Sequence, residues 1–150
     1  MERHGEVLTP TVRWAVARGE ATSAADYLAA AARRSALYRA FVGLFDDCDV
    51  LLAPAASVLA WPNTIPDVTQ IDGVALPTPI DYLAVTFIVS LAGCPVVTLP
   101  AWTAPDIPFG VQLIAAPGGD RRLLAMARAF EASCGFAFRP PPATASGDCA

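Results

Sequence analysis

Covalent catalysis by a hydroxyl or thiol needs a base within hydrogen-bond reach of the nucleophile, and this sequence is short of bases. Its serines are Ser23, Ser35, Ser57, Ser90, Ser133 and Ser146, its one histidine is His4, and all ten basic residues are Arg, with no Lys. Ser57 follows an apolar run that closes at Pro54, and sites in α/β folds gather at such strand ends. No histidine neighbours it in sequence, and His4 sits near a terminus, where chains fray. These residues predict no assembled Ser-His-Asp site, and no catalytic residue is assigned. Cys94 precedes Pro95 without a cationic neighbour to lower its pKa, so it reads as a buried, inert thiol.

Binding chemistry is equally sparse. Asp46, Asp47 and Asp49 are the ligand type that hard cations take, but they stand where a predicted helix passes into a strand, so solvated carboxylates are expected. Cys48, Cys94, Cys134 and Cys149 are widely spaced with no C-x-x-C pair. Zinc needs clustered thiolates or imidazoles, so neither a metal nor a cofactor is predicted, and the thiols should be reduced in a cytoplasmic protein. Gln112, inside an apolar run, should bond to backbone in the core. Trp61, Tyr82 and Phe87 are the candidates for an apolar substrate pocket. Core packing competes for Tyr82 and Phe87, and a surface loop anchor for Trp61.

The elements that must position these residues are legible from period and punctuation. Thr9-Pro10 suits an N-cap followed by proline at the first helical position, opening a helix to about Arg18 that Gly19 ends. Ser23-Ala24-Ala25-Asp26 has the form of a capping box with Asp in place of Glu. Beyond it Leu28, Ala31, Ser35, Tyr38, Val42 and Phe45 recur at steps of three and four, the apolar stripe of a long amphipathic helix. Asp49 to Pro54 reads as a short strand buried on both faces, as in a parallel sheet. A long Pro-rich connection runs from Ala55 to Pro79, and such loops are functional or lie over a larger body. Ile80 to Leu91 reads as a buried helix, followed by strands at Val96–Leu99 and Phe109–Ala115 joined by a Pro-rich link. A last helix opens with Asp120 as N-cap and places Leu123, Leu124, Ala127 and Phe130 on its apolar stripe. Residues 139–150 read as a disordered Pro-rich tail, leaving 1–138 as one α/β segment.

Composition limits the function. Apolar residues make up 55% and charged residues 16%. With glycine counted and tyrosine left out, the apolar share is about 60%, against ~45–50% in ordinary soluble domains. That is more apolar surface than a compact chain of this size hides, so something else is expected to cover it. The net charge of −4 argues against nucleic acid, whose phosphates need a basic face. The uncharged stretch from Tyr82 to Pro105 is long enough to span a bilayer, but Gly93, Pro95 and Pro100 interrupt it, so a helix-turn-strand is expected and no membrane span. Met1 to Glu6 is charged and no apolar region follows, which predicts no targeting leader.

Four segments resemble, in order, the C-terminal part of the amidase signature family. Phe45-Asp46-Asp47-Cys48-Asp49-Val50-Leu51-Leu52-Ala53-Pro54 is like the step from a long helix into "D-v-L-l-x-P". Ser90 to Pro100 is similar to "N-l-t-G-x-P-a-l-s-l-P", and Ile107 to Ile114 to "G-l-P-x-G-v-Q-l-i-g". Asp120 to Glu131 is like the closing "D-x-x-L-L-x-l-A-x-x-f-E" helix. Ser90 stands where Asn is usual, Trp102 where Gly is, and Asp106 where Gly opens the third block, changes that bear on turns beside the substrate.

The resemblance implies a partial amidase-signature-like mixed sheet flanked by helices. It also implies hydrolysis or transfer of amides by a Lys, a Ser on a cis peptide, and a nucleophilic Ser in a Gly/Ser-rich loop. In full-length members those parts lie earlier in the chain. Here there is no Lys, no adjacent serine pair and no Gly/Ser-rich loop, the one glycine pair being Gly118-Gly119. The expectation is therefore a C-terminal segment of an amide hydrolase, inactive alone. It would supply sheet scaffold and part of the pocket for a small-molecule amide, with an N-terminal amidase portion as partner. The alternatives are a non-catalytic subunit of a two-chain amidase or amidotransferase, and a stand-alone interaction domain.

Overall fold

A computed structural model describes residues 5–104 and 107–135. His4 and the expected tail at 139–150 lie outside the described residues. Helix α1 spans Pro10–Glu20, with Thr9 accepting a hydrogen bond from the Val12 amide and Pro10 at its first position. It runs past the expected stop at Gly19. Helix α2, Ala24–Leu44, begins with the reciprocal cap that the sequence predicts. The Asp26 amide donates to Ser23 Oγ at 3.1 Å, and the Ser23 amide donates to Asp26 Oδ2 at 3.1 Å. Ser23's hydroxyl and amide together hold the Asp26 carboxyl below its usual pKa.

Three strands form one antiparallel sheet in the order β1 (Leu51–Pro54), β5 (Ile107–Ile114), β4 (Val96–Ala104). Chain alternation sends successive side chains of β5 to opposite faces. Val111, Leu113 and Ala115 meet Leu123 and Ala127 of helix α4 (Asp120–Cys134) on one face. On the other, Ile114 meets Val89, Ala92 and Cys94, from helix α3 (Ala84–Ala92) and the turn after it. Phe41 and Phe45 of the α2 end close that second layer. Residues 111–115 are all buried, so β5 is the strand enclosed on both faces.

The expectation for β1 is corrected accordingly. It is an edge strand, paired antiparallel through Leu51↔Ile114 and Pro54↔Val111. α4 packs over β4 and β5, which leaves Leu52 60% exposed. The expected Pro-rich link between the last two strands is strand too, paired through Pro100↔Gly110, Ala101↔Phe109 and Trp102↔Pro108, with a register irregularity before Ala104. Pro54 and Pro100 lie on edge strands and Pro108 beyond the reach of β1, so each missing N–H can face an unpaired side. Gly110 is required by close approach, since a Cβ there would stand 2.9 Å from Ala55 Cβ.

Two smaller elements lie in the long connection. Strands β2 (Gln70–Ile71) and β3 (Val74–Ala75) pair antiparallel across Asp72-Gly73, both at positive φ, 50° and 76°. An Asp-Gly pair between β-formers is a hairpin signal, absent from the elements expected above. Of the Tyr82–Pro105 stretch, the described part to Ala104 divides into a 3₁₀ turn at Asp81–Leu83, α3 and β4. Among the described residues no helix is long and apolar enough to cross a membrane. α3 is half-buried rather than buried, with Ile88 and Leu91 exposed. Gly119, not Asp120, caps α4, and Leu124 of the expected stripe faces outward.

The largest departure concerns α2. Its predicted stripe is exposed at Leu28, Tyr38 and Val42 and meets the core at Phe45, joined there by Phe41 from off the stripe. No residue of α1 or α2 is buried. The described core is nine apolar residues and Gln112, a small number for the apolar share of the sequence. Large uncovered apolar surface invites association. The purified chain should therefore associate in light scattering and unfold over a broad thermal range; a monodisperse monomer with a sharp transition would mean that the exposed α2 face needs no cover.

Candidate functional site

The sequence candidates fall around α3. Trp61 and Tyr82 come together edge to face, ring centroids 5.9 Å apart and planes 80° to each other, a geometry favoured by the ring quadrupoles. Trp61 Nε1 donates to the Ile65 carbonyl at 3.0 Å, closing a tight loop on itself. A shallow recess of 460 Å³ beside it is lined by Ala60, Trp61, Asn63, Ile65 and Pro66. Tyr82 and Phe87 are half-buried and do not line that recess. The structure thus joins Trp61 to Tyr82 and leaves Phe87 apart, on α3. The turn carrying Tyr82 is anchored by Asp81, whose carboxylate accepts from the Thr78 amide at 2.9 Å. The Thr78 hydroxyl is buried without a partner.

α3 itself carries no charge and has no side-chain N-cap. Two distant residues hold it. Gln112 Nε2 donates to the Pro54 carbonyl at 2.7 Å and to the Val85 carbonyl at 3.2 Å, joining the end of β1 to the first turn of α3. Gln112 is 4% exposed, and its amide is bonded to backbone as the sequence suggests. At the other end Arg34 Nε of α2 donates to the Leu91 carbonyl at 3.0 Å. Gly93 then ends the helix in the left-handed region, φ 68°, which glycine adopts without strain. Arg34 is the residue that sequence reasoning missed. It lies off the apolar stripe, and nothing local marks its partner 57 positions away.

The chemically reactive groups do not converge. Cys94 is buried, and burial pushes its thiol pKa up, because the thiolate loses its hydration. Asp46, Asp47 and Asp49 are exposed, and Asp49 accepts from Arg122 at 2.6 Å in a surface ion pair. Among the described residues no three His, Cys, Asp or Glu side chains are placed to hold a metal ion. Ser57 is half-buried after β1, and no histidine falls within the described residues.

Residues 2–124 match the Amidase family. The chain belongs to that family. It is 35% identical over 127 residues to a glutamyl-tRNA(Gln) amidotransferase subunit of Desulforudis audaxviator, covering 83% of this chain and 24% of that protein. It is 34% identical over 139 residues to the 2-amino-5-chloromuconic acid deaminase of Comamonas testosteroni, covering 90% and 28%. A solved amidase crystal structure superposes with a TM-score of 0.77 at 30% identity, covering 89% of this chain and 31% of that one. The chain thus spans about a quarter to a third of the length of these relatives. Helices on a sheet, with amidase signature enzymes as structural neighbours, bear out the α/β fold class.

Two consequences can be measured within this amidase-family segment. Replacing Gln112 by Leu removes the donor shared by the Pro54 and Val85 carbonyls, which should lower stability by about 1–3 kcal/mol in urea unfolding. An unchanged midpoint would mean that the tie between β1 and α3 is idle. Alkylation followed by mass spectrometry near pH 8 should label exposed Cys134 well before Cys94, since the buried thiol is held protonated; equal rates would contradict the burial of Cys94.

Proposed function

We propose that this chain is the C-terminal segment of an amidase-type hydrolase acting on carbon–nitrogen bonds. It supplies sheet scaffold and part of the substrate pocket, while the catalytic Lys and serines belong to an N-terminal portion of the amidase domain. The observation that carries this reading is the uncovered face of α2, where Tyr27 and Leu28 are 70% and 68% exposed in a chain that matches only part of its relatives' length. The absence of Lys from the sequence points the same way. The relatives' names describe a deaminase and one component of an amidotransferase, and a small-molecule amide is the substrate class proposed here. In the complete enzyme Trp61, Tyr82 and Phe87 are proposed to line the apolar side of the pocket.

The test is activity. The purified chain should show no turnover of simple aryl or aliphatic amides above background. Joined to a portion bearing the Lys and the Gly/Ser-rich serine loop, it should support turnover. In that complete enzyme Trp61→Ala or Phe87→Ala should raise KM more than it lowers kcat, the pattern of lost ground-state binding. Hydrolysis by the chain alone that disappears in Ser57→Ala would overturn the reading.

A further inference from the structure

A groove of 630 Å³ runs between α2 and the end of α3, with Ala31, Arg34, Tyr38, Arg39, Leu91 and Gly93 among its lining residues. Its apolar surface is accessible, with Tyr38 44% and Leu91 45% exposed. Its polar edge is cationic, because α2 from Tyr27 to Leu44 carries Arg33, Arg34 and Arg39 and no acidic residue. The chain as a whole has a net charge of −4, so this is a local reversal of sign. Among the described residues the one ion pair is Arg122–Asp49; neither groove arginine has a carboxylate partner there. Arg34 spends its Nε on the Leu91 carbonyl, which holds its guanidinium at the groove.

An apolar trough with arginines along it suits an amphipathic helix that carries acidic residues beside its apolar stripe, the helix-in-groove mode. The groove follows α2 from Ala31 to Arg39, a little over two turns at 3.6 residues per turn, so such a helix would dock through about two of its turns. A second copy of the same face is disfavoured, because α2 against α2 sets arginine against arginine, and like charges across an interface are costly. We infer that the α2–α3 groove seats an acidic amphipathic helix from the portion that completes the amidase domain, its carboxylates pairing with Arg34 and Arg39. This rests on the proposed function and adds the chemistry of the partner surface. It also gives Arg34 two tasks, holding α3 by its last turn and receiving the incoming acid.

The probe is a labelled synthetic helix of about 18 residues, five turns, with Leu on one face and Glu on the other. Its controls are a scrambled peptide of the same composition and a version with Lys for Glu. Fluorescence anisotropy with the full chain should show binding of the acidic amphipathic peptide alone, weakening as salt is raised. Arg39→Gln should reduce affinity by about tenfold, the scale of one lost charge-assisted contact, and Arg39→Glu should reduce it further. Circular dichroism of each variant checks that the fold is kept. The chain joined to its completing portion should no longer take up the peptide. No binding, equal binding of the acidic and basic peptides, or an affinity indifferent to Arg39 would overturn the inference. Continued peptide uptake by the completed enzyme would overturn the assignment of the occupant. Amide turnover by the completed enzyme in any of those cases would leave the functional reading standing and remove the groove alone.

Discussion

Gln112 sits where strand alternation directs a polar side chain into the layer beneath α3, and its amide must find partners there or pay for desolvation. It finds two carbonyls from different elements, Pro54 at the end of β1 and Val85 at the start of α3. Because the amide is short and planar, both partners are held to one geometry. The antiparallel ladder of β5 with β1 and β4 fixes the strands, but the ladder says nothing about where a helix lies above them. Gln112 supplies that relation. Val89, Ala92 and Cys94 then pack against Ile114 in a position that the hydrogen bonds already define.

The second relation is between helices. Arg34 reaches the Leu91 carbonyl, one of the last-turn acceptors that have no intrahelical donor. A guanidinium there also complements the negative end of the helix. α3 is thus gripped at its first turn from the sheet and at its last turn from α2. The grip is local, and the rest of α2 is left without cover. Phe41 and Phe45 near its C-terminal end enter the core, whereas Tyr27 and Leu28 near its start stand in the open. One end of this helix is fastened and the other projects.

Much of this is legible in the sequence because it depends on local rules. Ser23 and Asp26 form the capping box by their spacing alone, and Gly93-Cys94-Pro95 stops α3 because glycine takes the left-handed cap. The helix and strand order and the four-segment resemblance to amidases follow from the same kind of reading. What the sequence misleads on depends on neighbours. Leu51-Leu52-Ala53 is apolar like an enclosed strand, yet the strand that is enclosed is β5, because α4 packs over β4 and β5 while Leu52 of β1 stays exposed. The stripe of α2 shows which face is apolar, not whether anything lies against it, so Leu28 and Tyr38 point to a core they do not enter. Of the candidate pocket, the Trp61–Tyr82 contact cannot be foreseen, since 21 positions separate the rings across a loop with a hairpin of its own.

These facts divide the molecule by the source of its order. The sheet, α3 and α4 are ordered by contacts within the chain; α3, tied at both ends, carries Phe87, and the 3₁₀ turn before it carries Tyr82. α1 and the first part of α2 gain less from the described residues, since neither helix fully buries a residue, and helices in proteins draw most of their stability from tertiary packing. A layer fixed by internal bonds thus lies beside a helix whose apolar side chains stand largely in solvent. The sheet side of α3 keeps its geometry through Gln112 and Arg34, whose bonds lie within the chain. The cost falls on α2, where Tyr27, Leu28 and Tyr38 stay exposed and, among the described residues, no arginine of the helix has a carboxylate partner.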